Sequence, residues 1–328
     1  MRRKSLILVL IAILTLTAFG GAYAQEAETP TLRIGLLPVL NTLPFYVAQE
    51  EGFYEAEGVN VEIIPFDSAP NQQVAVSAGE VDGLNTDMIV AALLNEGDFG
   101  TTIVRADPPA GAFFAIIAGA ESGIETVDDL KGVEIAIGEN TIIEYITTRL
   151  LRDAGFADDE IVYTSVPQIP VRLELLAQGQ VQAATLPEPL TTLATGLQGA
   201  ALVLDDSTVD FVPTVIAFRS EVIAEQPEAI AAFLRAYEQA VDAINQDPEA
   251  YREVLVGNIN VPEPLRPTYP VPSFLPAFIP SEEQTAQVMD WMVERELLEE
   301  ALAYEEFVTD EFLPEELAAP AATPEAES

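Results

Sequence analysis

The chain has 328 residues, of which 54 are acidic and 14 are Lys or Arg, so its formal net charge is −40. A chain this acidic lacks the basic face with which nucleic-acid-binding proteins neutralise phosphates. Because it contains no Cys and no His, thiol and imidazole nucleophiles, Ser-His-Asp triads, Cys/His zinc sites and disulfides are excluded. The length is sufficient for two domain-sized cores.

The first residues predict an export signal. Three basic residues are followed by an apolar run from Leu6 to Phe19 and then by Ala22-Tyr23-Ala24. These are the three parts of a secretory signal peptide over residues 1–24, with cleavage after Ala24. An uncleaved anchor is the alternative, but the run is shorter than the roughly 20 residues of a membrane-spanning helix. We therefore expect an exported protein, periplasmic or extracellular.

The mature chain begins with alternating strand-like and helix-like segments. Asn41 to Pro44 has the capping side chains and early proline of a helix start. Alternation of strands and helices predicts parallel strands with helical crossovers, an α/β fold. The predicted strands are 32–37, 59–63, 81–84 and 101–104, and the predicted helices are 45–51, 70–78 and 87–95.

A second α/β series follows a Pro/Gly-rich bend at 107–111. Its predicted strands are 113–118, 134–137, 161–164, 181–185 and 214–218, and its helices are 141–153 and 171–178. Three helices at 227–246, 248–258 and 281–299 come next, and a proline-rich, extended segment at 261–280 separates the last two. The sequence thus predicts a discontinuous first lobe of 25–111 plus 219–313, a second lobe of 112–218 and a disordered tail of 314–328.

An internal echo indicates that the two lobes share one plan. The sequence Ala78-Gly79-Glu80-Val81-Asp82-Gly83 is repeated in pattern by Gln178-Gly179-Gln180-Val181-Gln182-Ala183. In each, a helix ends on glycine, the usual left-handed C-cap, and a short strand leads to another helix.

Ligands of open α/β sheets bind beyond the carboxyl ends of the strands, where loops lead into helix N-termini. Four loops, at 38–42, 85–87, 138–141 and 186–189, therefore predict a ligand cleft between the lobes. Their amide, hydroxyl and carboxylate groups can orient a small polar ligand. The candidate ligand-binding residues are Pro38, Asn41, Thr42, Thr86, Asp87, Arg105, Asn140, Thr141, Pro187 and Glu188.

Each candidate also has a simpler interpretation. Asn and Thr at helix starts serve as N-caps, and Asp87 and Glu188 can complement the positive end of a helix. Arg105, the one basic side chain placed to meet an anionic ligand, could instead form a salt bridge at the bend. Two acids against one base favour a neutral or amine-bearing ligand, such as a flat heterocycle, over nitrate or a simple sulfonate.

Several segments together resemble one known family. They are Leu43 to Ala48, Glu51 to Tyr54, Ala78 to Asp82, Asp129 to Gly132, Leu186 to Pro189 and Pro227 to Ala236. Their order and spacing are similar to those of nitrate/sulfonate/taurine-type solute-binding proteins of ABC importers, a group that grades into binders of thiamine-pyrimidine precursors. The resemblance implies a type II periplasmic-binding fold, two α/β lobes joined by two crossing strands. It also implies ligand contacts at Asn41, Thr42, Thr86, Asp87, Asn140, Thr141 and Glu188.

The leading hypothesis is therefore an exported subunit of an ABC importer that captures a small polar solute and delivers it to a permease with its ATPase. We expect a monomer that has no catalytic residues, metal or cofactor and binds no nucleic acid. Two alternatives remain: a lyase or dehydratase with Asp87 or Glu188 as base, and a ligand-sensing exoprotein without a transporter.

Overall fold

The computed structural model describes residues 29–97, 99–108, 110–197, 199–259, 261 and 263–314. The predicted signal peptide and residues 315–328 of the predicted tail lie outside this part. The strands are β1 Thr31–Leu36, β2 Asn60–Pro65, β3 Gly83–Asp87, β4 Thr101–Ala106, β5 Phe114–Ala118, β6 Glu134–Ile137, β7 Val162–Ser165, β8 Ala183–Pro187, β9 Ala201–Asp205 and β10 Thr214–Arg219. The helices are α1 Leu43–Glu50, α2 Phe53–Ala56, α3 Ala69–Ser77, α4 Met88–Glu96, α5 Ile142–Asp153, α6 Ile169–Ala177, α7 Leu190–Leu197, α8 Ser220–Glu225, α9 Pro227–Gln246, α10 Arg252–Asn258, α11 Glu282–Glu294 and α12 Tyr304–Phe307.

Local sequence explains where several helices begin and end. Pro70 and Pro170 occupy the first turns of α3 and α6, where a missing N–H costs no hydrogen bond. Both helices are followed by a glycine with positive φ, Gly79 at 71° and Gly179 at 66°, a conformation that disfavours any side chain. The helix expected after the loop at 186–189 is α7, whereas the sequence did not predict β9, α2, α8 or α12, which are short.

The strands form two five-stranded sheets of the same plan, in the orders β2-β1-β3-β10-β4 and β7-β6-β8-β5-β9. In each, the first three strands are parallel. The predicted all-parallel arrangement is wrong for β10 and β5, which are antiparallel to both neighbours. Each of these two strands enters its sheet directly from the other lobe, without a helical crossover to reverse its direction.

Two crossings, one with described residues 107–108 and 110–113 and one at 206–213, join the lobes. They brace each other: Asp107 N donates to Thr214 O at 2.8 Å, and the Asp206 carboxylate accepts from Phe113 N at 2.7 Å and Phe114 N at 3.2 Å. Because β10 lies in the first sheet, the chain re-enters the first lobe before Thr214, a few residues earlier than the boundary at 218/219 that the sequence predicts.

The C-terminal helices cover the first lobe and also contact the second. Phe45 of α1 packs on Tyr237 of α9 with ring centroids 4.9 Å apart. The far end of α11 contacts α5 of the second lobe through Trp291, whose ring lies 5.3 Å from that of Tyr145. Among the described residues, no helix combines the length and apolar character needed to cross a membrane.

Candidate functional site

A cavity of about 50 Å³ lies between the lobes at the carboxyl ends of the central strands. A single water needs roughly 10–15 Å³ on the same measure, so the cavity has room for a small solute. Most of the wall is apolar. The lining residues are Leu37, Val39, Asn41, Ala69, Pro70, Asn85, Thr86, Asp87, Phe113, Phe114, Gly138, Thr141, Ile142, Ile143, Pro167, Ile169, Arg172, Pro187 and Thr214.

The first-lobe wall carries two asparagines that are held by a buried carboxylate. Asn85 Nδ2 donates to Asp107 Oδ2 at 2.7 Å, and Asn41 Nδ2 donates to the same oxygen at 3.1 Å. Asp107 also accepts from Arg105 Nη1 at 2.9 Å and from the Tyr237 hydroxyl at 2.8 Å. Burial raises the pKa of Asp107 to about 6, and the Arg105 charge opposes that rise.

Asp87 ends β3 and caps α4. Its Oδ1 accepts from Val90 N at 2.9 Å. Burial raises the pKa of this carboxyl to about 6, and the main-chain N–H groups of Val90, Ile142 and Ile89 oppose the rise. Because Ile142 begins α5 in the other lobe, the Asp87 carboxylate lies between two helix N-termini, whose partial positive charges favour its ionised form.

The second-lobe wall contains the N-terminus of α5 and a buried arginine from α6. Thr141 caps α5: its Oγ1 accepts from Ile143 N at 3.1 Å and donates to Gly138 O at 2.7 Å. Arg172 Nη1 lies so close to Gly138 that a Cβ there would stand 3.3 Å from it. A glycine at 138 therefore leaves room for the guanidinium beside the helix N-terminus.

Arg172 is the most unusual group in the cavity. It is 1% exposed, and among the residues that the structure describes nothing accepts a hydrogen bond from its Nε or Nη1. Burial lowers the pKa of the guanidinium to about 9, so the side chain remains charged at neutral pH. A buried cation without a protein partner is costly, and its charge and donors suit an anion.

The structure places five of the sequence-predicted residues in the cavity wall: Asn41, Thr86, Asp87, Thr141 and Pro187. Thr86 Oγ1 is buried and has no hydrogen-bond partner within the described part of the chain. The first-lobe and second-lobe loops that the sequence nominated therefore do face one another.

The other five lie outside that wall. Pro38 stands between two lining residues, and Thr42 is buried with its hydroxyl donating to Val39 O at 2.7 Å. Asn140 is exposed in the turn before α5, where its φ is 57°. Glu188 accepts from the Tyr269 hydroxyl at 2.8 Å, and Arg105 makes ion pairs with Asp107 and Glu238 at 2.9 and 2.7 Å.

The sequence interpretation missed Arg172, although the internal echo contains a signal for it. The spacing from Gly79 to Gly179 also matches Pro70 to Pro170, and it aligns Gln72 with Arg172. In the first lobe, Gln72 Nε2 donates to Gly35 O at 3.0 Å and Asn85 O at 2.9 Å, main-chain groups beside the cavity. The second lobe thus has a cation where the first has an amide.

The profile of the family described as NMT1/THI5 like matches residues 40–251. The match includes both crossings and all lining residues except two near the first strand. The chain belongs to the NMT1/THI5-like family.

Relatives of this NMT1/THI5-like chain carry binding-protein names. A protein of Bacillus subtilis (strain 168) named as an aliphatic sulfonates-binding protein is 24% identical over 248 residues, 73% of each chain. One of Escherichia coli (strain K12) with the same name is 27% identical over 208 residues, and that match covers 63% of each chain, just under two thirds. These names describe binding proteins rather than enzymes.

Solved structures show the same fold. The alkanesulfonate-binding protein of Xanthomonas axonopodis pv. citri bound to MOPS superposes with a TM-score of 0.74 at 19% identity, covering 86% of this chain and 99% of that one. The predicted fold class, two α/β lobes of a periplasmic-binding protein, is confirmed. The resemblance to the nitrate/sulfonate group of ABC solute-binding proteins is confirmed as well.

Proposed function

We propose that this protein is the exported solute-binding subunit of an ABC importer and that its solute is a small organic anion, with short aliphatic sulfonates as the leading class. Export through a leader cleaved after Ala24, a location outside the cytoplasm and delivery to a permease with its ATPase are parts of the proposal. Support comes from family membership, from the names of the relatives and from the cavity between the lobes.

The observation that carries the anionic character of the solute is Arg172. Its guanidinium is buried in the cavity wall beside the N-terminus of α5. Because the Asp87 carboxylate offsets the partial positive charge of that helix end, Arg172 is the group that attracts an anion. Hydrogen bonds from an arginine to an anionic oxygen are short and strong in a buried site. The sequence analysis counted two acids and only one base, Arg105, among the candidate residues, and therefore favoured a neutral or amine-bearing ligand. Arg172 adds a cation to the cavity wall, which favours an anion instead.

The remaining wall favours an aliphatic group on the solute. Phe113, Phe114, Ile142 and Ile169 surround the space next to Arg172, and apolar surface removed from water contributes about 25 cal/mol per Å². A hydrated inorganic ion would leave this surface without a complementary partner. An anion with a short hydrocarbon part matches both the charge and the apolar wall.

Closure of the lobes supplies the affinity. Ile169 N of the second lobe donates to Asp67 O of the first at 3.2 Å, so lobe-to-lobe contacts form at the cavity edge. A solute that contacts both walls favours the closed state over the open one and shifts that equilibrium.

Calorimetric titration with ethanesulfonate tests this function. We expect binding by the wild type and a loss of about 2–5 kcal/mol in Arg172→Gln, because the anion loses its buried charged partner. Arg149→Gln is the matched control, since Arg149 lies on the same lobe and pairs with exposed Asp153; it should bind as the wild type does. Nitrate, bicarbonate and neutral cytosine complete the panel, and binding of cytosine with none of the anions bound would contradict the proposal.

A further inference from the structure

The first-lobe wall of the cavity contains a hydrogen-bond acceptor, the side-chain carbonyl of Asn41, whose orientation is fixed by the hydrogen bonds of its NH₂ group. Asn41 is 2% exposed, and its Oδ1 is buried with no donor among the residues placed by the structure. The same side chain lines the cavity. A rotation of this amide by 180° would present its NH₂ group to the cavity instead, so the orientation depends on the hydrogen-bond partners of Asn41.

Asp107 decides the orientation. Its carboxylate only accepts, and it is held by Arg105 Nη1 at 2.9 Å and the Tyr237 hydroxyl at 2.8 Å. Its Oδ2 receives Asn85 Nδ2 at 2.7 Å and Asn41 Nδ2 at 3.1 Å. Turning either amide over would place a carbonyl oxygen against a carboxylate oxygen and lose a charge-assisted hydrogen bond.

The fixed orientation of Asn85 in turn fixes that of Asn41. Asn85 must point its NH₂ group at Asp107, so its Oδ1 faces Asn41 Nδ2 at 3.5 Å. Asn41 then has both a carboxylate and an amide oxygen on its NH₂ side, and only its own Oδ1 remains for the cavity. A fixed acceptor on this wall stands across from the fixed donors of Arg172 on the other.

We propose that Asn41 Oδ1 selects solutes by accepting a hydrogen bond from them, so that the solute is a short aliphatic anion bearing an N–H or O–H group away from its anionic end. The inference rests on the proposed function and narrows its substrate class. Thr86 Oγ1, a second buried oxygen on the same wall, can accept from the same group. Hydroxyl and amino substituents share this chemistry, and the test separates them.

The expected discrimination follows from the burial of Asn41. An analogue without the donor leaves a buried carbonyl unpaired in the closed cavity, which weakens its binding about tenfold. An acceptor-free site would show no such preference, or would favour the less hydrated analogue.

Three probes of similar size test the inference by calorimetry: ethanesulfonate, 2-hydroxyethanesulfonate and 2-aminoethanesulfonate. At least one donor-bearing probe should bind the wild type about tenfold more tightly than ethanesulfonate. In Asn41→Leu that ratio should fall severalfold, because the fixed acceptor is lost and only Thr86 Oγ1 remains to accept from the solute. Asn60→Ala, an exposed asparagine of the same lobe, is the control and should keep the ratio.

The outcomes separate this inference from the function beneath it. If ethanesulfonate binds the wild type as tightly as both donor-bearing probes, the inference is wrong and the anion-binding function stands. If none of the sulfonate or carboxylate probes binds, the proposed function fails and the inference falls with it. Because the ratio is measured in the wild type, and can be repeated there with propionate and 3-hydroxypropionate, the test does not depend on Asn41→Leu folding.

Discussion

At the scale of single residues, two buried arginines have opposite surroundings. Arg105 and Arg172 are each 1% exposed. Arg105 pairs with Asp107 and Glu238 and donates to Leu275 O at 2.8 Å. Arg172 has no carboxylate partner in the part of the chain that the structure describes, and desolvation is the cause of its lowered pKa. The first arginine belongs to the structure of the crossing, and the surroundings of the second agree with the ligand-binding role proposed for it.

These surroundings predict opposite stability effects for the same substitution. Arg172→Met should raise the free energy of unfolding of the ligand-free protein by on the order of 1–3 kcal/mol, because it removes a buried, unpaired charge. Arg105→Met should lower it by about 3–5 kcal/mol, because two buried carboxylates lose their cation. Thermal unfolding in a buffer free of small anions measures both.

The comparison carries its own control, since each variant replaces a buried arginine with the same side chain. A loss of stability in Arg172→Met as large as that in Arg105→Met would show that Arg172 supports the fold instead of the ligand. A site that gives up stability for binding is common at functional positions.

Some single residues of the site could be predicted from the sequence, and Arg172 could not. The caps at Asp87 and Thr141 were predictable, because a helix start depends on a few adjacent residues. Arg172 was not, although α6 was predicted over most of its length, because the buried side of a helix is set by its packing against a sheet. Only the alignment with Gln72 could have indicated its position.

At the scale of elements, the proline-rich segment at 261–280 does more than connect α10 to α11. Asn245 of α9 makes two hydrogen bonds to the main chain of Phe274: its Oδ1 accepts from Phe274 N at 2.9 Å, and its Nδ2 donates to Phe274 O at 2.8 Å. These bonds fix the segment to the first lobe. The Tyr269 hydroxyl then donates to Glu188 Oε2 of the second lobe at 2.8 Å. The sequence predicted an extended connector, and in the structure residues 263–280 contact both the first lobe and the second.

This link predicts a role for Tyr269 in closure. Tyr269→Phe keeps the ring and removes the bond to Glu188, so the closed state should lose about 0.5–1.5 kcal/mol and the Kd for ethanesulfonate should rise severalfold. Stopped-flow fluorescence of Trp291, which packs edge-on against Tyr145 of the second lobe, should show faster release of the solute.

Tyr304→Phe is the matched control, because the Tyr304 hydroxyl donates to Pro280 O at 2.7 Å and makes no contact with Glu188. It should leave the Kd unchanged. Equal affinity in Tyr269→Phe and the wild type would mean that the bond to Glu188 also exists in the open state.

Element order and type were largely predictable, and strand direction was not. Apolar alternation identifies a strand but is the same for either direction. β5 and β10 are antiparallel because the chain changes lobe before each of them, and that depends on which sheet receives the strand. The bend at 107–111 indicated the first crossing, whereas the second, at 206–213, has no comparable run of Pro and Gly.

At the scale of the whole molecule, three buried aspartates surround the junction of the lobes. Asp87 caps α4 beside the N-terminus of α5, while Asp107 and Asp206 each begin a crossing. Burial raises the pKa of all three to about 6. Main-chain N–H groups hold Asp87 and Asp206, and Arg105 holds Asp107, so each stays ionised at neutral pH at some cost in stability.

The sign of the pH effect follows from the raised pKa values. Between the ordinary value of 3.8 and about 6, the folded protein binds more protons at these groups than the unfolded chain does, so its stability falls as pH rises through that range. Above about 6 the penalty is complete and constant. Exposed Asp129 and Asp158, whose pKa values are lowered by hydrogen bonds, act in the opposite direction, but mainly below pH 4.

We therefore predict that the ligand-free protein melts at a higher Tm at pH 5 than at pH 7.5, with each aspartate contributing on the order of 1 kcal/mol over that interval. A net charge of −40 produces a trend of the same sign through general repulsion, which 1 M salt screens to within about 3 Å. Thermal unfolding at both pH values should thus be compared at low and high salt. Asp206→Asn, which keeps an oxygen for Phe113 N but cannot titrate, should reduce the pH dependence that survives in high salt. If high salt abolishes the dependence entirely, the buried aspartates are not its source and the surface charge alone is.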